Sequence, residues 1–473
     1  MKPCTKKRTQ IRKSAYLSIA FFLVALTLVG CQQPSIMPGS ANTPPGSEAK
    51  NNILIQAVEA EPDELVAPAI LVEKTGYTKY GYINTKGQWV IAPQYTNASA
   101  FSEGYAVVIK PSVDFKVLTY CIIDKSGAIV AELPKGVEPE GYSLGYYESS
   151  SNRTAYFECI PRPLHISDGL FKVKNSDRDP NVGTKFGFAN IKGEVVAVPQ
   201  YDEVLDFCNG LAAVRTDQCW SYIDKQGKIV IPGPFTYAAN FSEGLASVSW
   251  ESKFHSEKSA KTIAVIQTGF IDTTGKIVIS GQGNWIYPEF SGPHLQWMGL
   301  SWDKGGNFFE GGMTMVSYTF PRGDFPTKQA NVIATLDQQG SVLWMSDLDQ
   351  YYSEMDSRAY FNSGITCVLS KKTNEEVFID SSGNIIPVAL ENWSFYLPYS
   401  EGLAVVKDEK DGLYKYINSS GKVITQGYKN AHSFINGYAF VRTSDNIDLI
   451  IDSTGAVVIK ANDQLIPIAP FTK

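Results

Sequence analysis

Helical patterning is what this sequence has least of. Few stretches repeat apolar residues at the 3.6-residue spacing of an amphipathic helix, which excludes a helical bundle. Cysteine is scarce as well, with 7 in 473 residues. They are scattered with no close pairs, against a disulfide framework or a zinc site, although one disulfide between an unassigned pair stays open. The four histidines, His165, His255, His294 and His432, share no ligand spacing, and each reads as a surface or turn residue. There is no phosphate-binding Gly-Lys loop, dinucleotide fingerprint, nucleophile elbow or His-Glu-x-x-His, so no catalytic residue, metal or cofactor is implied. The apolar run Ala15 to Gly30 is 16 residues, short for a membrane-spanning helix.

What is abundant is aromatic and turn-forming. Aromatics make up 12% of the chain, with 25 Tyr and 24 Phe beside 39 Gly and 25 Pro. Aromatic and β-branched residues suit half-buried pleated surfaces, so the expected class is all-β. The pattern is clearest from Cys219 to Val248. Tyr222-Ile223 and Lys228 to Ile231 flank Asp224-Lys225-Gln226-Gly227, a hairpin signal in which the carboxylate caps the turn and Gly227 takes a left-handed conformation. Asn tolerates that conformation better than Val, so Gly227→Asn is expected to be milder than Gly227→Val. Pro232 and Pro234 are expected to stop the second strand. Phe235 and Phe241 pin a crossing segment, and Ser242-Glu243-Gly244 turns the chain into a third strand.

This unit recurs. The turn pair returns as Asn84/Gly87, Asp124/Gly127, Asn190/Gly193, Asp272/Gly275, Asp337/Gly340, Asp380/Gly383, Asn418/Gly421 and Asp452/Gly455. Relatives of Ser-Glu-Gly end at Gly104, Gly169, Gly210, Gly402 and Gly437, with weaker versions at Gly312 and Gly364. The glutamates Glu103, Glu243 and Glu401 read as turn residues, and single Asx residues per turn are caps, too few oxygens for calcium. Leu65 to Glu73 is a third strand without a hairpin before it, and the chain ends on a hairpin without a third strand. Nine units of third strand plus hairpin follow from Leu65, each too small to bury its own apolar face.

Residues 1–30 read as a targeting segment, basic at Lys2, Lys6, Lys7, Arg8, Arg12 and Lys13 before the apolar run. The sequence Leu28-Val29-Gly30-Cys31 resembles a bacterial lipoprotein signal. That resemblance implies cleavage before Cys31 and a lipid on its thiol, which places the remainder on the extracytoplasmic side of a membrane of the bacterial cell envelope. Residues 31–64, rich in Pro, Gly, Ser and Asn, read as a flexible spacer with a reach of roughly 30 Å. Residues 65–473 read as one β domain, with two sub-arrays as the alternative. Without residues 1–30 the chain has 36 basic and 48 acidic side chains, a formal net charge of −12. This repels nucleic acid on average.

The repeats resemble the bacterial WG repeat family across most of the chain. The residues that carry the resemblance are Tyr80-Gly81-Tyr82-Ile83-Asn84, Phe186-Gly187-Phe188, Trp220-Ser221-Tyr222-Ile223-Asp224, the Pro-x-Tyr steps at Pro93 and Pro199, and the Phe-Ser-Glu-Gly blocks at Phe101 and Phe241. The Trp-Gly pair itself is never intact: Tyr80, Phe186 and Tyr414 stand for Trp, and Cys121 and Ser221 for Gly. The resemblance implies a β-propeller-like toroid of three- to four-stranded antiparallel units, with an open twisted β-array as the alternative, and a binding role without catalytic residues.

Turn Gly to strand Gly is 17 residues in the first, third and fourth copies, but 42 from Gly127, 37 from Gly275 and 24 from Gly340. Insertions at one place in a repeat map to one face, often the binding face. The fifth insertion holds Trp285, Tyr287, His294, Trp297 and Trp302. The expected function is a non-enzymatic, lipid-anchored surface protein that binds an envelope protein or a cell-wall or extracellular glycan. Trp285, Tyr287, Trp297 and Trp302 are its contact residues, and the membrane is met through the lipid alone. The alternative is an extracytoplasmic glycan- or peptide-processing enzyme with a site built from inserted loops.

Overall fold

The computed structural model of the protein describes residues 64–72, 78–111, 118–140, 165–175, 183–256, 261–280, 294–296, 309–322, 325–347, 350, 363–462, 465–469 and 471–472. The chain divides into two compact units, Met1–Ile55 and Gln56–Lys473, and all described residues lie in the second. Every regular element among them is a strand, and every ladder is antiparallel, in small open sheets of three, four or seven strands. Among the described residues no hydrogen-bonded ladder runs from sheet to sheet to close a toroid.

The fold repeats one register. The first strand residue after each Ser-Glu-Gly block pairs with the turn Asx of the next strand: Tyr105 with Asp124, Leu211 with Asp224, Leu245 with Asp272, Leu403 with Asn418, Tyr438 with Asp452. Val66 pairs with Asn84 in the same way. The Ser-Glu-Gly turns and the Asx turns therefore sit at one end of every unit, the turn end. The connections between these two strands sit at the opposite end, the hairpin end.

Local chemistry fixes the Asx turn. Asp224 Oδ1 accepts from the backbone N–H groups of Gln226 at 3.0 Å and Lys228 at 2.9 Å, and Gly227 N–H donates to the Asp224 carbonyl at 2.9 Å. Gly227 has φ 77°. A Cβ there would stand 2.5 Å from the Val196 carbonyl oxygen, in the outer strand of the preceding unit. The turn is thus tucked against its neighbour.

Successive units pack through aromatic edge contacts. Tyr82 meets Phe101 at 4.7 Å, Phe188 meets Phe207 at 4.7 Å, Phe270 meets Phe309 at 4.9 Å and Tyr416 meets Phe434 at 4.9 Å. Where the ring is tyrosine, its hydroxyl donates to a carbonyl of the crossing segment: Tyr82 to Ser99 at 2.8 Å, Tyr222 to Ala239 at 2.7 Å, Tyr416 to His432 at 2.6 Å. Thr335 pairs with Met315 as Phe270 pairs with Ser247, so a threonine takes the aromatic position in the sixth unit.

The expected half-units at the two ends complete each other. Leu465–Pro467 pairs antiparallel with Leu71 to Ala69, and Val66 and Thr472 exchange backbone hydrogen bonds of 3.0 and 2.9 Å. This bridge repeats those between Ser102 and Tyr105 and between Ser242 and Leu245 inside single blocks. Phe471, fully buried, packs with Ala67, Ala69, Ile83, Phe440, Ile450 and Ile459.

Two expectations are corrected. Pro232 and Pro234 do not stop the strand, which runs Ile229–Ala238. Trp220 pairs with Phe235 and Tyr222 with Ile231, so the prolines fall in a bulge where a missing N–H breaks no ladder. The strand then pairs onward with Val248 to Trp250, joining two units in one seven-stranded sheet. His432 is not a surface turn residue either. It is half-buried beside Phe440, ring centroids 5.9 Å apart, and burial pushes its pKa down.

Candidate interaction surface

At the turn end, Ser-Glu-Gly does more than reverse the chain. Glu103, Glu243 and Glu401 sit at φ 51°, 50° and 53°, an unusual conformation for glutamate. Each carboxylate spans to the next unit. Glu103 accepts from the N–H groups of Asp168 at 2.9 Å and Gly169 at 2.8 Å, Glu243 from Gly311 and Gly312 at 2.8 Å each, and Glu401 from Asn436 at 2.6 Å and Gly437 at 2.7 Å. Shorter Asp168 and Asn209 reach one N–H each, of Gly210 at 2.7 Å and Gly244 at 3.1 Å. The serine hydroxyls add a second link, Ser102 to the Ile166 carbonyl at 2.8 Å and Ser242 to the Phe309 carbonyl at 2.6 Å. These acids are clasps between units, a role that sequence reasoning missed. The available signal was glutamate where Asn, Asp or Gly is the usual choice.

The hairpin end differs from unit to unit. Most strands after Ser-Glu-Gly have five or six residues, such as Tyr105–Ile109 and Leu211–Thr216, but Leu245–Ser256 has 12 and Met313–Arg322 has 10. Their partners Lys261–Asp272 and Phe325–Asp337 have 12 and 13 residues, so two adjacent hairpins extend past the body of the array. The fifth insertion supplies a strand to this extension: His294–Gln296 pairs with Thr319 to Ser317 and lies against the Lys261–Asp272 strand.

Ion pairs occupy the same end elsewhere. Arg442 makes a buried two-pronged contact with Asp448, at 2.6 and 3.0 Å. Arg215 binds Glu203 at 3.0 Å, and Lys110 binds Glu132. The second insertion leaves the described fold at Glu140 and returns at His165. Lys172 joins these two ends, reaching Glu140 at 3.3 Å and Asp206 at 3.4 Å, while Asp206 meets His165 at 3.5 Å. The bond to Asp206 pushes the His165 pKa up against the pull of burial. Burial opposes the charge on Asp206, but His165 and Lys172 outweigh it and hold the carboxyl below its usual range.

Cys31, Trp285, Tyr287, Trp297 and Trp302 lie outside the described residues. Among the described cysteines, Cys121, Cys208 and Cys367 are free and Cys219 is disulfide-bonded. Among the described residues no group of three or more His, Cys, Asp or Glu is placed to hold a metal ion, and no helix is long and apolar enough to cross a membrane.

Among solved structures, the chain is similar to BamB from Moraxella catarrhalis, at 12% identity and TM-score 0.30, covering 62% of this chain and 85% of that one. It is also similar to the WD40 β-propeller domain of Doa1, at 11% identity and TM-score 0.27, covering 57% and 84%. Among curated proteins none matches. The WG containing repeat family matches residues 80–110, 186–218, 220–253 and 416–446. Gly81, in the first of these, explains the small residue of the repeat: a Cβ there would lie 2.5 Å from the Ile91 carbonyl oxygen of the bulged neighbouring strand. At these four positions the chain carries the WG containing repeat.

Proposed function

We propose that this protein is a non-enzymatic binding protein, held by a lipid on Cys31 at the extracytoplasmic side of a bacterial envelope membrane. Its repeat array engages another envelope protein or a cell-wall or extracellular glycan through the hairpin end. A repeat family of small antiparallel sheets fits a binding or scaffold role. The observation that carries the reading is the paired extension of Leu245–Asp272 and Met313–Asp337, with His294–Gln296 added to it. Trp285, Tyr287, Trp297 and Trp302 belong to the same inserted stretch. Rigid aromatic rings lose little entropy on binding and suit sugar faces or an apolar protein surface. The net charge of −12 without residues 1–30 disfavours nucleic acid.

The test uses the full chain as bait for its own cell envelope. Trp297→Ala with Trp302→Ala is expected to weaken capture about tenfold or more with an unchanged melting curve. Capture equal to the parent's refutes the site. Turnover of an envelope glycan or peptide, lost when inserted acids are replaced by alanine, refutes the non-enzymatic reading.

A further inference from the structure

We infer that Asn209 and Asn436 are latent sites of self-modification, held unreacted by the clasps between units. When a clasp opens, the asparagine side chain loses ammonia to its own backbone, and the opening is recorded irreversibly. These residues form the two Asn-Gly steps of the chain. Both occupy the glutamate position of a Ser-Glu-Gly block, at φ 55° and 52°, and both are exposed to water.

The chemistry needs only water. The Gly437 backbone nitrogen attacks Cγ of Asn436 and forms a C–N bond, its proton passes to the leaving amide, and ammonia departs to leave a cyclic imide. Water then opens the imide at either carbonyl, giving aspartate or isoaspartate. One water is taken up and one ammonia released. Asn209 and Gly210 react in the same way. Glycine, without a side chain, hinders the attack least.

The fold blocks the first step at its nucleophile. Gly437 N–H donates to Glu401 Oε2 at 2.7 Å, and Asn436 N–H to Oε1 at 2.6 Å. Gly210 N–H donates to Asp168 Oδ2 at 2.7 Å. Each attacking nitrogen thus faces a carboxylate of the preceding unit instead of its own side chain, and a carboxylate beside an N–H opposes loss of that proton. The amides are held as well. Asn209 Oδ1 accepts from Gly244 N–H at 3.1 Å, and Asn436 Nδ2 donates to the Phe471 carbonyl at 3.4 Å.

The products differ between the two joints. Asn209 links the units as an acceptor, so aspartate keeps that bond, as Asp168 does one block earlier. Asn436 links them as a donor, and aspartate there sets a negative oxygen against the Phe471 carbonyl. Phe471 packs between the first and last units, so conversion at position 436 loosens that seam. Isoaspartate, with one more carbon in the backbone, spoils either turn.

The test follows each site in the full chain by peptide mapping and mass spectrometry during incubation in mildly alkaline buffer, with the urea-unfolded chain as reference. The folded parent is expected to convert at least about tenfold more slowly than the unfolded chain at both sites. Glu401→Gly should speed conversion at Asn436 about fivefold or more and leave Asn209 unchanged, and Asp168→Gly should do the converse. Glycine keeps the left-handed turn, as Gly311 does at φ 60° in the corresponding position. Asn436→Asp should lower the urea midpoint, and Asn209→Asp should not. Folded conversion as fast as unfolded, or a clasp variant that speeds both asparagines or neither, overturns the inference. Equal midpoints for the two aspartate variants overturn the loosening of the seam at position 436.

Discussion

The sharpest test of the packing between units is a comparison of two glycines with the same backbone conformation. Gly227 has φ 77° and Gly244 has φ 85°. Around Gly244 nothing stands within 4 Å of a built Cβ, whereas at Gly227 the Val196 carbonyl oxygen is at 2.5 Å and Ala197 Cβ at 3.4 Å. A left-handed φ costs an alanine about 1–2 kcal/mol. Gly244→Ala should lose about that much. Gly227→Ala loses it too and must also displace a strand backbone, an overpacking cost of about 1–3 kcal/mol, for about 2–5 kcal/mol together. Asparagine separates the two terms, because it eases the conformational cost but still carries a Cβ. Gly244→Asn should be close to neutral, and Gly227→Asn should stay severely destabilised. Gly227→Val should be worse still, since it adds the resistance of a β-branched residue to positive φ to the same clash. The assay is the urea midpoint followed by far-ultraviolet circular dichroism at matched slope. If both asparagine variants fall within about 0.5 kcal/mol of each other, a range ordinary for surface changes, the turn does not press on its neighbour and the argument is refuted.

Glu243→Gly distinguishes clasp from turn: glycine suits φ 50° better than glutamate, so a mere turn residue gains stability, whereas loss of two hydrogen bonds across units should cost about 1 kcal/mol at this exposed site. Phe471→Ala removes a fully buried ring from the contact between the first and last units. It should cost about 3–5 kcal/mol, and native hydrogen exchange should accelerate first in Val66–Val72; unchanged protection there sinks the idea that this contact holds the first and last units together. The two described histidine side chains should give opposite pH slopes. His165 is raised by Asp206, with Lys172 opposing and Glu103 assisting, so its contribution is full below the ordinary value of about 6.5 and is lost as pH rises through the folded value. His432 is lowered by burial, so its contribution is present above about 6.5 and is lost as pH falls through the depressed folded value. His165→Gln and His432→Gln should each flatten one limb of stability against pH, and an unchanged limb refutes the assignment.

Much of this architecture is written in local sequence. Asp224 to Gly227 fixes its hairpin through contacts no more than four residues apart. A continuous apolar run such as Leu211 to Val214 marks a strand buried on both faces. The incomplete units at Leu65 and Leu449 to Ile459 were legible too, because a half-unit announces its missing half. Contacts across units were not. Glu103 and Asp168 are 65 residues apart, as near in sequence space to a random pair as to a bond. Only the stacking of two finished units brings that carboxylate to those N–H groups. Gly227 looked like a conformational choice until the fold put Val196 beside it. The prolines 232 and 234 looked like strand ends because a bulge is a property of two strands together. The same division holds for the surface. The sequence alone located the insertions, since spacing counts residues. That the fifth insertion adds His294–Gln296 to a hairpin extended at the end opposite the Asx turns was decided by antiparallel register, which exists only after the strands have paired.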